Sequence, residues 1–492
     1  MRCWQMRRSG LSTSRLWRGL AIAAGCILSL YVLVKRPFYF TDPTMLGGFI
    51  FLELLLAILV KFREAFFPVL ITVFLLAGMW VPGHSLWVSA RWVVLGTGAI
   101  VGFLYWLQRS YCPVRLPHLV ALGCVLTAIV SALVSVYPDV ALLKALSLLL
   151  LFVYSITGAR AAVIGREEKF FSSLVLGCEA LVYVSAVAYF GLHLELFGNR
   201  NSLGVAMGVV ALPFLLWGLL VSNSRSLRRR RMLAVLLCQL LLLSSYERAG
   251  IVAALTSSTL LCITLRRYRF MFTGLAVVLV TAFLVATFVP LPEVNQPDDD
   301  SVTSRFVYKG KQEEGVLASR KTVWEKTILS LQQHPYLGAG FGTTATAYDK
   351  TQVNIRFASG GQVSREHGNS YLEIAEWVGV VGVVPFGALL LLLAGKAISI
   401  CMWIRRTGMA TSPAVPLAIF IAGALVHAGF EDWLFAVGYH TCVLFWVFAL
   451  MLPDFSSTEP ATRIAPFMGM TRFANYAQSR SLVASNPSCT FS

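Results

Sequence analysis

The chain has 492 residues, of which 57% are hydrophobic and only 13% are charged, whereas soluble domains average roughly 45–50% and about 25%. Its net charge of +17 would suggest a nucleic-acid partner if the protein were soluble, but apolar runs of roughly 20 residues recur along most of the chain. This composition excludes a disordered chain, a secreted disulfide scaffold and a soluble nucleic-acid-binding protein. It indicates a membrane protein with many spans.

The apolar segments predict an all-α, polytopic membrane protein with about 12–14 transmembrane helices. We expect an N-terminal bundle of about 11 spans at 1–290, a large outer loop at 291–370, about three more spans at 371–452 and a disordered cytoplasmic tail at 453–492. The first span follows several arginines and is expected to be an uncleaved anchor rather than a cleaved signal peptide. The candidate spans lie at 19–34, 44–60, 65–81, 92–107, 117–136, 142–158, 170–190, 201–221, 232–245, 251–265, 270–290, 371–394, 413–430 and 434–452.

The basic residues predict the orientation, because Lys and Arg collect in the cytoplasmic loops of membrane proteins. When the N-terminus is placed in the cytoplasm, most of them fall on the cytoplasmic side. Outside the long loop 291–370, the exceptions are Lys35, Arg36, Arg91, Lys144, Arg200 and Arg248. We therefore expect both termini in the cytoplasm and 291–370 on the outer side.

The segment 232–265 is too long for one span, since roughly 34 helical residues would measure about 51 Å against a hydrocarbon core of roughly 30 Å. It is flanked on both sides by arginines that favour the cytoplasm, so we predict a hairpin with its tip at 246–250. Two interpretations of Arg248 stay open at this point. It lies in a cavity below the outer surface, or it is an interfacial arginine that reaches lipid headgroups or pairs with Glu247.

The sequence of the outer loop predicts a helix at about 316–333, which ends at His334-Pro335. A flexible turn with glycines at 338, 340 and 342 is expected to follow it. Arg320 begins this helix. It is either a solvated arginine on an interfacial helix or part of an anion site at the helix N-terminus.

Further polar residues are expected on the same outer side. His367 precedes an apolar span and is a candidate general base, with a structural interfacial histidine as the alternative. No Cys/His spacing resembles a metal site, so no metal and no cofactor are expected. Two more polar groups are expected on this face besides Arg248, Arg320 and His367, namely Asn199, Arg200 and Asn201, and His427, Glu431 and Asp432. The clustering of all five on one face indicates a site there.

The order of these motifs resembles the O-antigen ligase and polymerase family of bacterial envelope glycan enzymes. The resemblance covers about 195–385. The family's Arg-x-x-x-Leu motif is here Arg248 to Val252, and its His-Asn pair becomes His367-Gly368-Asn369. The motifs that carry it are Phe197-Gly198-Asn199-Arg200-Asn201-Ser202-Leu203-Gly204, Arg248, Ser319-Arg320 with Trp324, His334-Pro335-Tyr336-Leu337-Gly338-Ala339-Gly340 and His367-Gly368-Asn369-Ser370-Tyr371-Leu372.

The resemblance implies an enzyme that transfers or polymerises a glycan carried on a polyprenyl diphosphate, at the periplasmic face of the bacterial inner membrane. The acceptor is a lipid A core or another lipid-linked glycan, and the reaction is inverting and metal-independent. By position, Arg248 and Arg320 resemble the arginines that bind the diphosphate, and His367 resembles the base. The residues expected to bind substrate are Asn199, Arg200, Asn201, Arg365, Asn369 and Tyr371.

Polymerase and ligase activities both remain open. A transporter or flippase for lipid-linked glycans is the alternative from another class, because it too would hold a diphosphate with arginines. The long outer loop with its own helix and the lack of an internal repeat favour an enzyme.

Overall fold

The structure, a computed structural model, describes residues 63–108, 113–288, 318–344 and 366–455, together with isolated helical positions between 34 and 57. The first two predicted spans lie largely outside these residues, and the predicted tail lies outside them beyond Phe455. The chain divides into two compact units, 1–453 and 454–492. The helices described below belong to the first unit, and the last one runs into the first residues of the second.

The part of the chain described from residue 63 onward is all-α, and no strand occurs in it. Every predicted span from 65–81 onward coincides with a helix, and the predicted loop helix is also present. The helices are α1 (Phe66–Ala77), α2 (His84–Gln108), α3 (Leu116–Leu133), α4 (Pro138–Val163), α5 (Glu167–Gly191), α6 (Arg200–Val221), α7 (Arg225–Ser244), α8 (Arg248–Thr264), α9 (Tyr268–Phe288), α10 (Ala318–Gln333), α11 (Ser370–Thr407), α12 (Ala414–Ala428) and α13 (His440–Phe455).

Seven of the described helices are long and apolar enough to cross a membrane, namely α2, α3, α4, α5, α6, α9 and α11. Four shorter helices, α1, α8, α12 and α13, are also apolar, whereas α7 begins with a run of arginines that lowers its average hydrophobicity. This architecture is that of a polytopic membrane protein, as the composition predicts.

The centre of the bundle is formed by α6, α12 and α13. Phe214, Phe420 and Phe448, one from each helix, have ring centroids 5.5 to 5.6 Å apart. In the apolar stretch of 18 residues that identifies each helix as a possible span, about 83% of α6 is buried, compared with 6% of α9. A helix that is apolar all round belongs in the interior, so α6 is central and α9 is peripheral.

The predicted hairpin is formed by α7 and α8, and its tip lies inside the protein. Tyr246 and Glu247 are each only 2% exposed. Tyr246 takes a left-handed backbone conformation with φ of 52°, which turns the chain sharply between the two helices. Because the tip is covered by protein, Arg248 begins α8 in a partly buried position.

The helix α11 is broken at Gly379, where φ is 61° and ψ is −173°. Residues 335–340 lie against the break and supply hydrogen bonds to it. The backbone N–H of Val380 donates to the carbonyl of Pro335 at 2.8 Å, and that of Ala339 donates to the carbonyl of Glu376 at 2.9 Å. Glycine is required at 379, because a Cβ there would collide with the backbone of this segment.

The flexible turn predicted at 338–342 is therefore wrong. Ala339 and Phe341 are 6% and 1% exposed, and the segment packs against Ser135 in the α3–α4 connection, Lys144 of α4 and the break in α11. The glycines adopt positive φ there, so they serve close packing and turn geometry rather than mobility.

Candidate functional site

The connection between α12 and α13, residues 429–439, is hydrogen-bonded to the beginnings of two other helices. The backbone N–H and the hydroxyl of Ser370 donate to the carbonyl of Glu431 at 3.1 and 2.6 Å. The hydroxyls of Tyr439 and Ser202 are 2.9 Å apart. The starts of α6 and α11 are thus tied to this connection. The end of the bundle where they meet, together with the hairpin tip, is called the site end below.

Arg248 and Arg320 both lie at the site end, near enough for the charge of one to act on the other. Arg320, on α10, forms an ion pair with Glu431 of the α12–α13 connection. Arg248 is half-buried, and the positive charge of Arg320 acts on it. Two arginines whose charges interact in a partly desolvated place suit an anion that carries several negative charges.

Glu431 balances part of this positive charge. Burial raises the pKa of its carboxyl above its usual range, and the neighbouring Arg320 opposes that rise. The carboxylate is therefore easier to neutralise than an exposed one, and its protonation weakens its hold on Arg320.

The first turn of α8 is fixed by Glu247, which is buried. Its carboxylate accepts a hydrogen bond from the backbone N–H of Gly250 and so caps the helix. The other carboxylate oxygen lies 3.5 Å from Nε2 of His427, and Nδ1 of His427 accepts a hydrogen bond of 2.7 Å from the indole of Trp433. This buried chain holds the position from which Arg248 projects.

His367 lies in a pocket lined by three carboxylates. Nε2 is 2.8 Å from a carboxylate oxygen of Glu376. Nδ1 is 3.9 Å from both Glu373 and Asp432, and the backbone N–H of His367 donates to Asp432 at 2.6 Å. The side chain is fully buried, and Nδ1 has no hydrogen-bond partner among the described residues. If Nε2–H donates to Glu376, Nδ1 is the nitrogen left to accept a proton.

Gly368 connects Arg320 with this pocket. Its φ is 59°, and a Cβ at this position would meet the guanidinium of Arg320 and lie 3.0 Å from its Cδ. The indole of Trp324, one turn after Arg320 on α10, donates to the carbonyl of Gly368 at 3.4 Å. The glycine that separates His367 from Asn369 in the sequence thus lets α10 pack directly beside the histidine.

One group of side chains in the described residues has the chemistry of a metal site. His367, Glu373 and Asp432 offer one nitrogen and two carboxylate oxygens that lie within 4.8 Å of one another. The sequence spacing did not indicate this group, since its members come from two separate parts of the chain. A divalent cation could use these ligand types.

The predicted residues at the start of α6 lie at the site end, and the contacts described for them are with residues close in the sequence. Asn199 caps the helix by accepting a hydrogen bond of 2.6 Å from the backbone N–H of Ser202. Arg200 pairs with Glu195 at 3.2 Å, and Asn201 is exposed.

Asn369 and Tyr371, at the start of α11, are also engaged by the protein. Asn369 caps α11 by accepting from the backbone N–H groups of Tyr371 and Leu372 at 2.9 and 3.1 Å. Its side-chain N–H donates to a carbonyl of the α12–α13 connection at 2.9 Å. The Tyr371 hydroxyl donates to a carbonyl of α12 at 2.6 Å. The remaining predicted substrate-binding residue, Arg365, lies outside the described residues.

Three further ionisable residues belong to the site and were not predicted from the sequence, namely Glu373, Glu376 and Lys144. Lys144 donates to the carbonyl of Gly342, lies 5.9 Å from the ring centroid of Trp377 and attracts Glu373. A signal for them existed, because ionisable residues inside apolar spans are costly and mark functional sites.

Residues 232–387 match the family model described as O-Antigen ligase. The matched range extends from α7 into α11 and includes Arg248, Arg320 and His367. No curated protein gives a significant match to the chain.

Proposed function

We propose that this protein, whose residues 232–387 match the family model described as O-Antigen ligase, transfers or polymerises a glycan carried on a polyprenyl diphosphate. The observation that carries the proposal is that two arginines whose charges interact, Arg248 and Arg320, lie at the end of the bundle that holds His367, with Arg320 packed against Gly368. The glycan acceptor is a lipid A core or a second lipid-linked glycan, and the product is an O-antigen or an exopolysaccharide.

The chemistry of the donor suits the arginine pair. When the bond between the anomeric carbon and the diphosphate oxygen breaks, negative charge develops on the leaving group. Arg248 and Arg320 hold the phosphate oxygens through several N–H donors and stabilise that charge in the transition state. Since arginine stays charged when partly desolvated, the pair supplies this stabilisation without a metal ion.

His367 is proposed as the base. The acceptor hydroxyl attacks the anomeric carbon from the face opposite the diphosphate, which inverts that centre, and its proton passes to Nδ1 of His367. Glu376 holds the ring by its other nitrogen and stabilises the imidazolium that forms, so it acts as a positioning residue. The ring is closed to solvent in this structure, and the acceptor reaches Nδ1 only when a neighbouring group moves.

The other predicted residues are given smaller roles. Asn199 and Asn369 are proposed as positioning residues, because both cap helices at the site end. Arg200, Asn201, Arg365 and Tyr371 are proposed to contact the glycan.

We propose the bacterial inner membrane as the location, with the site end facing the periplasm and both termini in the cytoplasm. The support is the position of the arginines at 225–231 and 266–269, which lie at the end of α7 and α8 away from the hairpin tip. Exposed positions at the two ends test it. A cysteine at Lys321 should react with a membrane-impermeant reagent in intact cells, and one at Arg229 should be protected. The reverse pattern would contradict this orientation.

The activity is tested by incubating purified protein with a polyprenyl-diphosphate glycan, first alone and then with a lipid A core. Growth of the glycan chain identifies a polymerase, and loading of the core identifies a ligase. If neither product forms while labelled donor crosses a vesicle membrane, the protein is a transporter. A parallel reaction with EDTA should proceed at a similar rate. Strong inhibition that Mg²⁺ or Mn²⁺ reverses would overturn the metal-independent mechanism and would implicate the His367, Glu373 and Asp432 group.

A further inference from the structure

The pocket around His367 concentrates negative charge in a small volume. Glu373, Glu376 and Asp432 place three carboxylates beside the one imidazole. The charges of Asp432 and Glu376 both act on Glu373, and Lys144 acts on it in the opposite sense. Buried carboxylates that repel one another are costly, and a cation placed between them relieves that cost.

The two ring nitrogens of His367 are arranged as in a histidine that binds a metal. Nε2 lies 2.8 Å from Glu376, and a ligating histidine usually donates its second ring N–H to a carboxylate in this way. Nδ1 is fully buried and has no hydrogen-bond partner among the described residues. It lies 3.9 Å from a carboxylate oxygen of Glu373 and from one of Asp432. A buried acceptor that faces two further acceptors calls for a positive charge between them.

The separations suit a single ion of the size of Zn²⁺. The three candidate ligand atoms, one each from His367, Glu373 and Asp432, lie within 4.8 Å of one another. Zinc binds nitrogen and oxygen at roughly 2.0–2.2 Å, so its tetrahedral ligands are about 3.4 Å apart. Closing the two distances of 3.9 Å to that value requires movements of only about 0.5 Å. Since the side chain of Asp432 is 24% exposed, an ion can enter past it and keep water as a fourth ligand.

We infer that His367, Glu373 and Asp432 bind a divalent transition-metal cation, with Zn²⁺ as the best match, and that the bound ion inhibits glycan transfer. The nitrogen ligand favours Zn²⁺ over Mg²⁺ and Ca²⁺, which prefer oxygen ligands. The inhibition rests on the proposed function, because an ion on Nδ1 occupies the electron pair that accepts the proton of the acceptor hydroxyl. The ion thus competes with that proton and is not a cofactor, so transfer by the metal-free protein stays independent of metal.

Cation binding is measured on the purified full-length protein after EDTA treatment and transfer into chelator-free buffer. Zn²⁺ is titrated by calorimetry, and Co²⁺ is a visible probe whose absorption bands distinguish nitrogen and oxygen ligands from thiolates. Glu376→Gln should weaken Zn²⁺ binding roughly 10- to 100-fold, the usual effect of losing the partner of a ligating histidine. Glu373→Gln and Asp432→Asn, which each remove a ligand, should weaken it by at least as much and abolish the Co²⁺ bands.

His84→Gln is the matched control, because His84 is an exposed histidine of the kind that binds Zn²⁺ adventitiously. It should bind Zn²⁺ and Co²⁺ as wild type does. Gln and Asn keep the shapes of the side chains that they replace, and thermal unfolding without metal verifies that each variant is folded. Two ligand variants are used so that the result does not depend on one of them.

Inhibition is measured as glycan transfer from the lipid-linked donor at increasing Zn²⁺ concentration. Transfer by wild type and by His84→Gln should fall as the calorimetric site fills and should return when EDTA is added. Mg²⁺ at the same concentrations should not inhibit. In Glu373→Gln, the Zn²⁺ concentration that halves the variant's own rate should rise roughly 10-fold or more. Equilibrium binding of the donor should be unchanged by Zn²⁺, which excludes capture of its diphosphate by the free ion.

The outcomes separate this inference from the proposed function. If Zn²⁺ binding depends on Glu373 and Asp432 but no glycan is transferred in the absence of metal, the cation site stands and the proposed function fails. If transfer occurs and both ligand variants bind Zn²⁺ as tightly as wild type, the ion lies elsewhere and the cation site is overturned. Loss of binding in His84→Gln alone would also overturn it. Undiminished transfer with the site filled would overturn the inhibition.

Discussion

The arginine pair and the histidine pocket are neighbours, but they differ in charge and in exposure. The side chains of Arg320 and Glu431 are 27% and 22% exposed, whereas those of His367 and Glu376 are both 0% exposed. Glu431 pairs with Arg320 in the first region, and the adjacent Asp432 accepts a hydrogen bond from the backbone N–H of His367 in the second. A polyanion can approach the arginines, but three carboxylates repel it from the histidine. The difference supports a division between binding of the leaving group and transfer of the acceptor proton.

The largest effect is expected from Arg248→Ala, which removes one side of the arginine pair. Transfer should fall by roughly 10³-fold, as for the loss of a donor that stabilises transition-state charge. Arg248→Lys should restore little of it, because a point charge cannot replace a planar fork of N–H donors. Rates are measured with purified protein and a lipid-linked glycan. Arg405→Ala, at the far end of α11, is the control and should keep its activity. A fully active Arg248→Ala variant would remove this residue from the mechanism.

His367→Ala should lower kcat by roughly 10²-fold or more through loss of the base, with little change in donor binding. Glu376→Gln keeps the ring in place but weakens stabilisation of the imidazolium, so it should lower kcat by a smaller factor than His367→Ala. His367→Gln provides the contrast, since it retains hydrogen bonding without useful basicity. If that variant keeps most of the wild-type kcat, His367 is not the base.

Gly368→Ala tests the contact between the two regions. Its Cβ would displace Arg320, and the left-handed backbone adds about 1–2 kcal/mol of strain, so the KM for the donor should rise roughly 10-fold. Gly408→Ala is a matched control, because φ there is 74° but an added Cβ meets open space. The control should lose stability and keep its KM. Equal KM changes in both variants would show that strain alone, and not the position of Arg320, is responsible.

The smallest effect concerns pH and Glu431. Because burial raises the pKa of this carboxyl in the folded protein, its contribution to stability is present below its unfolded pKa and is lost as pH rises through the raised folded value. Glu431→Gln cannot ionise. The apparent Tm of the variant minus that of wild type should therefore increase as pH is raised from about 4 to 8, spanning the unfolded pKa near 4.3. A difference that is constant or falls with pH would contradict the direction of the shift.

Much of the fold could be predicted from the sequence, because long apolar runs and the distribution of arginines follow directly from the cost of placing polar groups in lipid. The hairpin at 246–250 followed from the length of the segment and from the arginines that flank it. The break at Gly379 could not be predicted, since a glycine in an apolar run is common in membrane helices. Only the packing of residues 335–340 against it reveals why it is needed.

The site could be predicted only in part, for a similar reason. Arg248, Arg320 and His367 belong to ordered motifs, and each is recognisable as a costly charge at membrane depth or at its edge. The pairing of Arg320 with Glu431, and of His367 with Glu376 and Asp432, depends on contacts between segments far apart in the chain. No periodicity in the sequence encodes those distances.

The central claim is that the arginines bind the donor and the histidine acts on the acceptor. The most direct test is the equilibrium binding of a polyprenyl-diphosphate glycan to Arg248→Ala and His367→Ala, measured without acceptor. We predict that His367→Ala binds the donor about as tightly as wild type, while Arg248→Ala binds it roughly 10-fold or more weakly, the effect of losing at least 1.4 kcal/mol. Equal loss of donor affinity in both variants would contradict the division between the two regions.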